Sequence, residues 1–316
     1  MKKHIYIYSP SGAVRDKAAF KRGVQQLVAM GHDVEVDPDA LSSVQRFAGS
    51  DESRLNGIHR AAASGADVAL MSRGGYGLTR ILGGIRYKSL HKAIERGTAF
   101  VGHSDFTALQ MALLAKTSAI TWAGPHVCGD FGVASVPRGA IRSEPDEIML
   151  DCFNDLLLRQ GEGTGWRQSP MAGQGDAVEH HIKNALLWGG NLTILTSLLG
   201  TPYFPVVRGG VLFLEDVGEH PYRIERMLTQ LLHCGILKTQ KAIVLGQFTD
   251  FKLSPHDHGF KLQSVVGWLR SQVKIPVVTN LPFGHVSTKV MLPVGAKLDL
   301  VLQGRDALLL WGDEIN

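Results

Sequence analysis

The stretch Ala99-Phe100-Val101-Gly102-His103-Ser104-Asp105-Phe106-Thr107-Ala108-Leu109-Gln110 changes its backbone period partway through. The apolar run 99–101 reads as a buried strand and Gly102 permits a tight turn. Thr107-Ala108-Leu109-Gln110 has the spacing of a helix capping box. The same alternation recurs outward from this unit. Residues 4–8 read as a strand, 17–30 as a helix closed by Gly31, and 32–37 as a second strand. A helix over 51–64 stops at Gly65, and strand 67–71 enters Ser72-Arg73-Gly74-Gly75-Tyr76-Gly77. Such a rhythm predicts an α/β fold with a mostly parallel sheet and helices on both faces.

Beyond residue 136 the pattern loosens. A helix over 147–159 is followed by Gln160-Gly161-Glu162-Gly163-Thr164-Gly165, which reads as a boundary. We therefore expect an N-terminal domain over 1–136, a linker over 137–176 and a C-terminal α/β domain over 177–316. In the last of these, 211–214 reads as a buried strand, and Pro221 suits the first position of a helix through 232. Ile224, Met227, Leu228, Leu231 and Leu232 give that helix one apolar face. Residues 241–245 and 276–278 read as further strands, and 289–311 alternates like antiparallel strands.

Composition narrows the class. The 316 residues, 44% hydrophobic and 20% charged, suffice for two cores. Lys and Arg exceed Asp and Glu by 33 − 29, a net +4, but they are scattered among acids. No basic run interleaved with aromatics occurs, so no nucleic-acid partner is expected. No apolar run approaches the roughly 18 residues of a membrane span. Met1-Lys2-Lys3 precedes a short run that Ser9-Pro10-Ser11-Gly12 ends, which reads as a first strand rather than a leader. Cys128, Cys152 and Cys234 have no CxxC spacing and are odd in number, which fits a reduced, cytoplasmic setting. Cys128 reads as a small packed hydrophobe.

Ser104 sits where a strand turns into a helix, a place that can hold a hydroxyl clear of the sheet with backbone N–H groups nearby. The pattern is Gly-His-Ser-Asp-Phe and not G-x-S-x-G, and from spacing alone a capping or turn-forming serine is the plainer reading. A serine nucleophile needs a base, and the base needs an orienting group. His285, after Leu281-Pro282-Phe283-Gly284, and Glu215, directly after strand 211–214, could converge on it from strand ends. A loop histidine and a helix-terminal charge are the plainer readings of those two. Arg73-Gly74-Gly75 suits an oxyanion or anion cradle but lacks the Lys-Ser/Thr of a P-loop. Trp188-Gly189-Gly190-Asn191 is a second glycine-rich corner. His180-His181 and His256-Asp257-His258 lack H-E-x-x-H spacing and read as solvated loops, so no metal is expected.

Taken in order, these pieces resemble the LD-carboxypeptidase family of serine peptidases. The likeness runs through Ser9-Pro10-Ser11-Gly12, Arg46-Phe47-Ala48-Gly49, Arg73-Gly74-Gly75-Tyr76-Gly77 and Gly102-His103-Ser104-Asp105-Phe106-Thr107-Ala108. It continues in Trp188-Gly189-Gly190-Asn191-Leu192, Leu214-Glu215-Asp216, Glu219-His220-Pro221-Tyr222-Arg223-Ile224-Glu225-Arg226 and Phe283-Gly284-His285. The resemblance implies an N-terminal Rossmann-like domain and a C-terminal α/β domain with the site between them. It implies Ser104, Glu215 and His285 as a catalytic triad, with no cofactor. The implied reaction is release of terminal D-alanine from cytoplasmic muropeptide tetrapeptides, in cell-wall recycling. The backbone N–H of Asp105, with one from Gly74 or Gly75, is expected to hold the oxyanion. Arg73, Arg223 and Arg226 are candidates for the substrate carboxylate, and Asn191 for a polar substrate contact. The expected partners are the muropeptide and, by self-association, a homodimer. A related branch cleaves peptide–nucleotide antibiotics of the microcin C type, and a non-catalytic peptide- or sugar-binding module is the reading from another class.

Overall fold

The computed structural model describes residues 2–134, 144–169 and 179–312. Five short strands of the first half are β1 (His4–Tyr8), β2 (Asp33–Val36), β3 (Val68–Met71), β4 (Ala99–Gly102) and β5 (Thr121–Ala123). Helices α1 (Lys17–Ala29), α2 (Asp51–Ala63), α3 (Leu78–Ile81), α4 (Tyr87–Glu95) and α5 (Thr107–Thr117) connect them. Asp16 and Ser50 cap α1 and α2 by accepting from the N–H groups of Ala19 and Ser53. All pairings from β1 to β5 are parallel, in the order β5-β4-β3-β1-β2. The order reverses between β1 and β3, and ligands of doubly wound sheets collect at strand carboxyl ends beside such a reversal. The loops after β1 and β3 lie there, with the loop after β4 alongside.

The second sheet comprises β6 (Gly163–Arg167), β7 (His180–Asn191), β8 (Val211–Val217), β9 (Ala242–Thr249), β10 (Val277–Val278), β12 (Lys297–Gln303) and β13 (Asp306–Leu310). Its order is β10-β9-β8-β7-β12-β13-β6. The β7–β8–β9–β10 pairs are parallel and the rest antiparallel. The remaining helices are α6 (Glu147–Leu158), α7 (Leu192–Ser197), α8 (Pro221–His233) and α9 (Leu262–Gln272). Pro221 occupies the first turn of α8, and the five apolar residues read from its sequence are all buried. β11 (Leu292–Val294) leaves its half of the chain and closes the first sheet, antiparallel to β5. Pro293, which has no N–H to donate, suits this edge position.

The structure corrects four expectations. Gly163-Thr164-Gly165, read as part of a linker, begins β6, because antiparallel pairing to β13 uses only backbone groups, which glycine supplies as well as any residue. The parts of that linker over 137–143 and 170–176 lie outside the described residues. Glu215 and Asp216 lie inside β8, not after it. Leu214 pairs with Leu245 but Asp216 pairs with Phe248, so an extra residue in β9 lets the ladder continue as a bulge. Thr107 caps nothing: the N-cap of α5 is Phe106 without a side-chain bond. The Thr107 hydroxyl instead accepts the Asn191 N–H at 3.0 Å, tying β7 to the start of α5. Finally, β11 belongs to the first sheet, where its three residues are buried.

Gly190 makes the Thr107 contact possible. Its φ is +133°, and a Cβ there would come within 2.5 Å of Thr107 Oγ1. Gly190→Ala should therefore destabilise the chain by about 2–3 kcal/mol through overpacking and backbone strain, measured as a lowered urea midpoint with unchanged slope.

Candidate active site

Ser104 stands in the turn after β4 with φ +64°, a left-handed conformation that a non-glycine residue adopts only where its surroundings enforce it. The enforcement comes from both neighbours. His103 is buried, and its Nδ1 donates to the Gly124 carbonyl at 2.8 Å. Asp105 is fully buried, and its Oδ2 accepts from the Ser11 hydroxyl and from the Leu78 N–H at 2.9 Å. One carboxylate thus gathers the loops after β1 and β3 around the serine. Burial raises the pKa of Asp105, against the lowering effect of the Ser11 bond. Gly74 packs directly on the serine. A Cβ there would lie 2.8 Å from Ser104 Cβ, 2.9 Å from Oγ and 3.7 Å from the Asp105 nitrogen.

His285 comes from the other half of the chain. The Leu281–Phe283 segment is laid along the β9 bulge by Leu281 N–H to Leu245 O at 3.1 Å and Gln247 N–H to Phe283 O at 2.9 Å. This delivers the imidazole between Ser104 and Glu215. His285 Nε2 is 3.0 Å from Ser104 Oγ, and Nδ1 is 2.8 Å from Glu215 Oε2. An ionised carboxylate only accepts, so Nδ1 carries the proton and Nε2 is free to accept from the serine. Burial depresses the His285 pKa, but the hydrogen bond and charge of Glu215 outweigh it and hold it above the ordinary value of 6.5. Glu215 is wholly buried, and its Oε1 accepts from Asn191 Nδ2 at 3.1 Å.

Asn191, expected to touch substrate, is therefore enclosed. Its amide also donates to Asp216 Oδ1 at 3.0 Å, and its Oδ1 caps α7 through the Ile194 N–H at 3.1 Å. It orders Glu215 because the end of β7 faces β8 there, with Asn191 directly opposite Glu215. Arg73, by contrast, lines the cavity in front of the serine. That cavity of about 370 Å³ is bounded by Arg15, Arg73, Ser104, His126, Cys128 and His285, among others. Arg73 Nη1 donates to the Ala13 carbonyl at 2.9 Å. Arg223 is exposed beside Glu219 at 3.4 Å, and neither it nor Arg226 lines this cavity.

Sequence reasoning missed Arg15, His126, Asp130 and Lys289. Nothing in their spacing marks them, since they meet the site only through the fold. His126 stacks on His103, with ring centroids 4.7 Å apart and planes 11° apart, and His103 meets His285 edge-on at 5.2 Å. Burial holds His103 well below the ordinary histidine value and brings His126 to about 4, so both are neutral near pH 7. Ligand-type atoms of His103, His126 and Asp130 lie within 4.8 Å of one another. Stacked rings send their lone pairs along parallel planes and not toward one point. Asp130 Oδ1 also already holds the Lys289 ammonium at 2.6 Å, so the cluster carries its own cation. Burial pushes the Cys128 thiol up to about 12, which leaves it inert near neutrality. His181 pairs with Asp299 at 2.9 Å, on the second sheet.

Chemically, this is a hydroxyl, an imidazole and a buried carboxylate joined by two hydrogen bonds, beside a cavity with two guanidinium groups. Such an order can activate a serine for attack on a carbonyl.

Comparison with known proteins gives a consistent picture. Residues 5–124 match the family model of the LD-carboxypeptidase N-terminal domain, and 184–300 that of the LD-carboxypeptidase C-terminal domain. A putative carboxypeptidase of Synechocystis is 30% identical over 298 residues, covering 93% of this chain and 90% of that protein. The crystal structure of muramoyltetrapeptide carboxypeptidase from Oxalobacter formigenes has a TM-score of 0.83 and 39% identity, covering 98% of both chains. The structure of MccF in complex with glutamyl sulfamoyl guanosine has the same fold, with a TM-score of 0.81 at 21% identity, covering 98% of this chain and 96% of that one.

The imidazole must be neutral to accept the serine proton, so acid should silence the hydroxyl. Labelling of Ser104 by a fluorophosphonate should fall on acidification with a midpoint above pH 6.5. Glu215→Gln should move that midpoint down, and labelling followed from pH 4 to 9 checks both.

Proposed function

The chain belongs to the LD-carboxypeptidase family, and from that premise we propose that it is a serine carboxypeptidase releasing terminal D-alanine from muropeptide tetrapeptides. The observation that carries the reading is the unbroken order Ser104–His285–Glu215, at 3.0 and 2.8 Å. His285 Nε2 takes the Ser104 proton as Oγ attacks the carbonyl carbon of the L,D-peptide bond. Glu215 holds the tautomer and stabilises the imidazolium that forms. The Asp105 N–H, with that of Gly74 or Gly75, faces the developing oxyanion, a contribution of about 3–4 kcal/mol per donor. When the tetrahedral species collapses, the C–N bond breaks and His285 gives its proton to the departing amine of D-alanine. Water, deprotonated by the same imidazole, then releases the acyl group from Ser104.

A carboxypeptidase must also read a free carboxylate. Arg73 is the cationic residue best placed for this. One end of its guanidinium is anchored on Ala13, and it lines the serine's cavity. A planar guanidinium suits two-point contact with a carboxylate. Arg15 stands on the exposed side of the same cavity and adds positive charge. Free Cys128, Cys152 and Cys234 support a cytoplasmic place of action. No described helix is long and apolar enough to cross a membrane.

Ser104→Ala should lower D-alanine release from tetrapeptide by a factor on the order of 10⁴ to 10⁶ with an unchanged melting temperature, and wild-type turnover would refute the assignment. Arg73→Ala should raise KM for tetrapeptide while a substrate amidated at its terminal carboxyl is processed by both proteins equally poorly. Activity should survive chelator treatment, checked by the same D-alanine assay.

A further inference from the structure

The histidine of this site rides on a loop with little regular structure. Between Phe283 and Val290 there is no helix or strand, and the loop base is closed by the Val290 N–H to the Pro282 carbonyl at 3.0 Å. An imidazole on such a segment keeps its aim only if the segment is tied down elsewhere. Two ties are present, and both reach across to residues far back in the chain. The Thr288 hydroxyl donates to Asp146 Oδ2 at 2.7 Å, at the N-cap of α6. Lys289 Nζ donates to Asp130 Oδ1 at 2.6 Å and also to the carbonyl of Val286, the residue after His285.

We propose that Lys289 is a positioning residue for the reaction: its buried ammonium, clamped by Asp130, holds the Val286 carbonyl and so fixes His285 at bonding distance from Ser104. The side chains of this pair are 3% and 2% exposed. Drawing two charges out of water is costly, and a buried pair is a weak source of stability compared with apolar residues of the same shape. What such a pair does supply is a unique arrangement, because either charge alone would be stranded. Here the arrangement selected is that of the loop bearing the base. The ammonium adds a positive charge to a group in which burial keeps His103 and His126 uncharged, and it acts on His285 against Glu215.

The inference rests on the triad reading, so its test uses a probe that depends on the triad but not on the natural substrate. The rate of Ser104 labelling by a fluorophosphonate is measured on the intact chain and on Lys289→Met. Labelling of the variant should slow by a factor on the order of 10 to 100, the scale of a misplaced catalytic group. The charged and titratable groups around His285 are Glu215 and Asp216 from β8, His103 and His126 from the loops after β4 and β5, Lys289 with Asp130, and, around the cavity, Arg73, Arg15, Asp16 and Cys128. Loss of the ammonium leaves the acids less opposed, so the acid limb should also move to higher pH. The slowed labelling should persist at pH values above that limb, where His285 is neutral in both proteins and loss of the charge alone no longer alters its protonation. Because Lys289→Met strands a buried carboxylate, the double variant Asp130→Asn/Lys289→Met removes both charges and should fold while still labelling slowly. Labelling at the wild-type rate above the acid limb in either folded variant would overturn the proposal. A wild-type chain that takes up no label would instead overturn the triad reading on which it rests.

Discussion

A carboxylate fully withdrawn from water must find hydrogen-bond donors or forgo its charge, and Glu215 imposes that demand on everything around it. Its donors are Asn191 and His285, one from the neighbouring strand and one from a distant loop. The first requires the β7–β8 register that sets Asn191 opposite Glu215. The second requires the β9 bulge, where Gln247 takes hold of the Phe283 carbonyl. Asn191 in turn reaches Thr107 through its own N–H, so the acid's requirement extends into the turn that displays Ser104. The site is therefore assembled by the satisfaction of one buried charge.

The three imidazoles near the serine show how environment divides identical groups. His103 lies buried with His126 stacked on it at the cavity wall, and desolvation suppresses the charge of both. His285 is also largely enclosed, but contact with Glu215 reverses the outcome and keeps it basic. Pushing like groups apart in this way separates a proton carrier from scaffolding. The stack can pack against the base without competing for its proton.

Much of this was legible in the sequence because it is written in local patterns. The strand-to-helix passage around Ser104, the glycine loop at Arg73 and the amphipathic helix beginning at Pro221 each declare themselves within a few residues. The chemistry was less legible. Ser104, His285 and Glu215 stood out only through the order of several motifs, since no single spacing distinguishes a nucleophile from a turn serine. Asn191 was read as a substrate contact from its place in the family resemblance; the parallel partner that buries it is more than twenty residues away. The Asp130–Lys289 pair was invisible for the same reason, its members being 159 positions apart. Thr107 illustrates a competition that sequence alone does not resolve. A capping box and an acceptor for another strand need the same hydroxyl, and the tertiary contact prevailed.

The return of β11 to the first sheet bears on how the two halves can be handled. Leu292–Val294 covers the free side of β5, pairing Pro293 with Trp122. A fragment ending near residue 136 would leave that rim of backbone donors and acceptors bare, an invitation to intermolecular strand addition. The two halves are thus joined by a shared sheet as well as by the chain between them, and a cut where the motifs change character would bare a β5 edge that is paired in the intact chain.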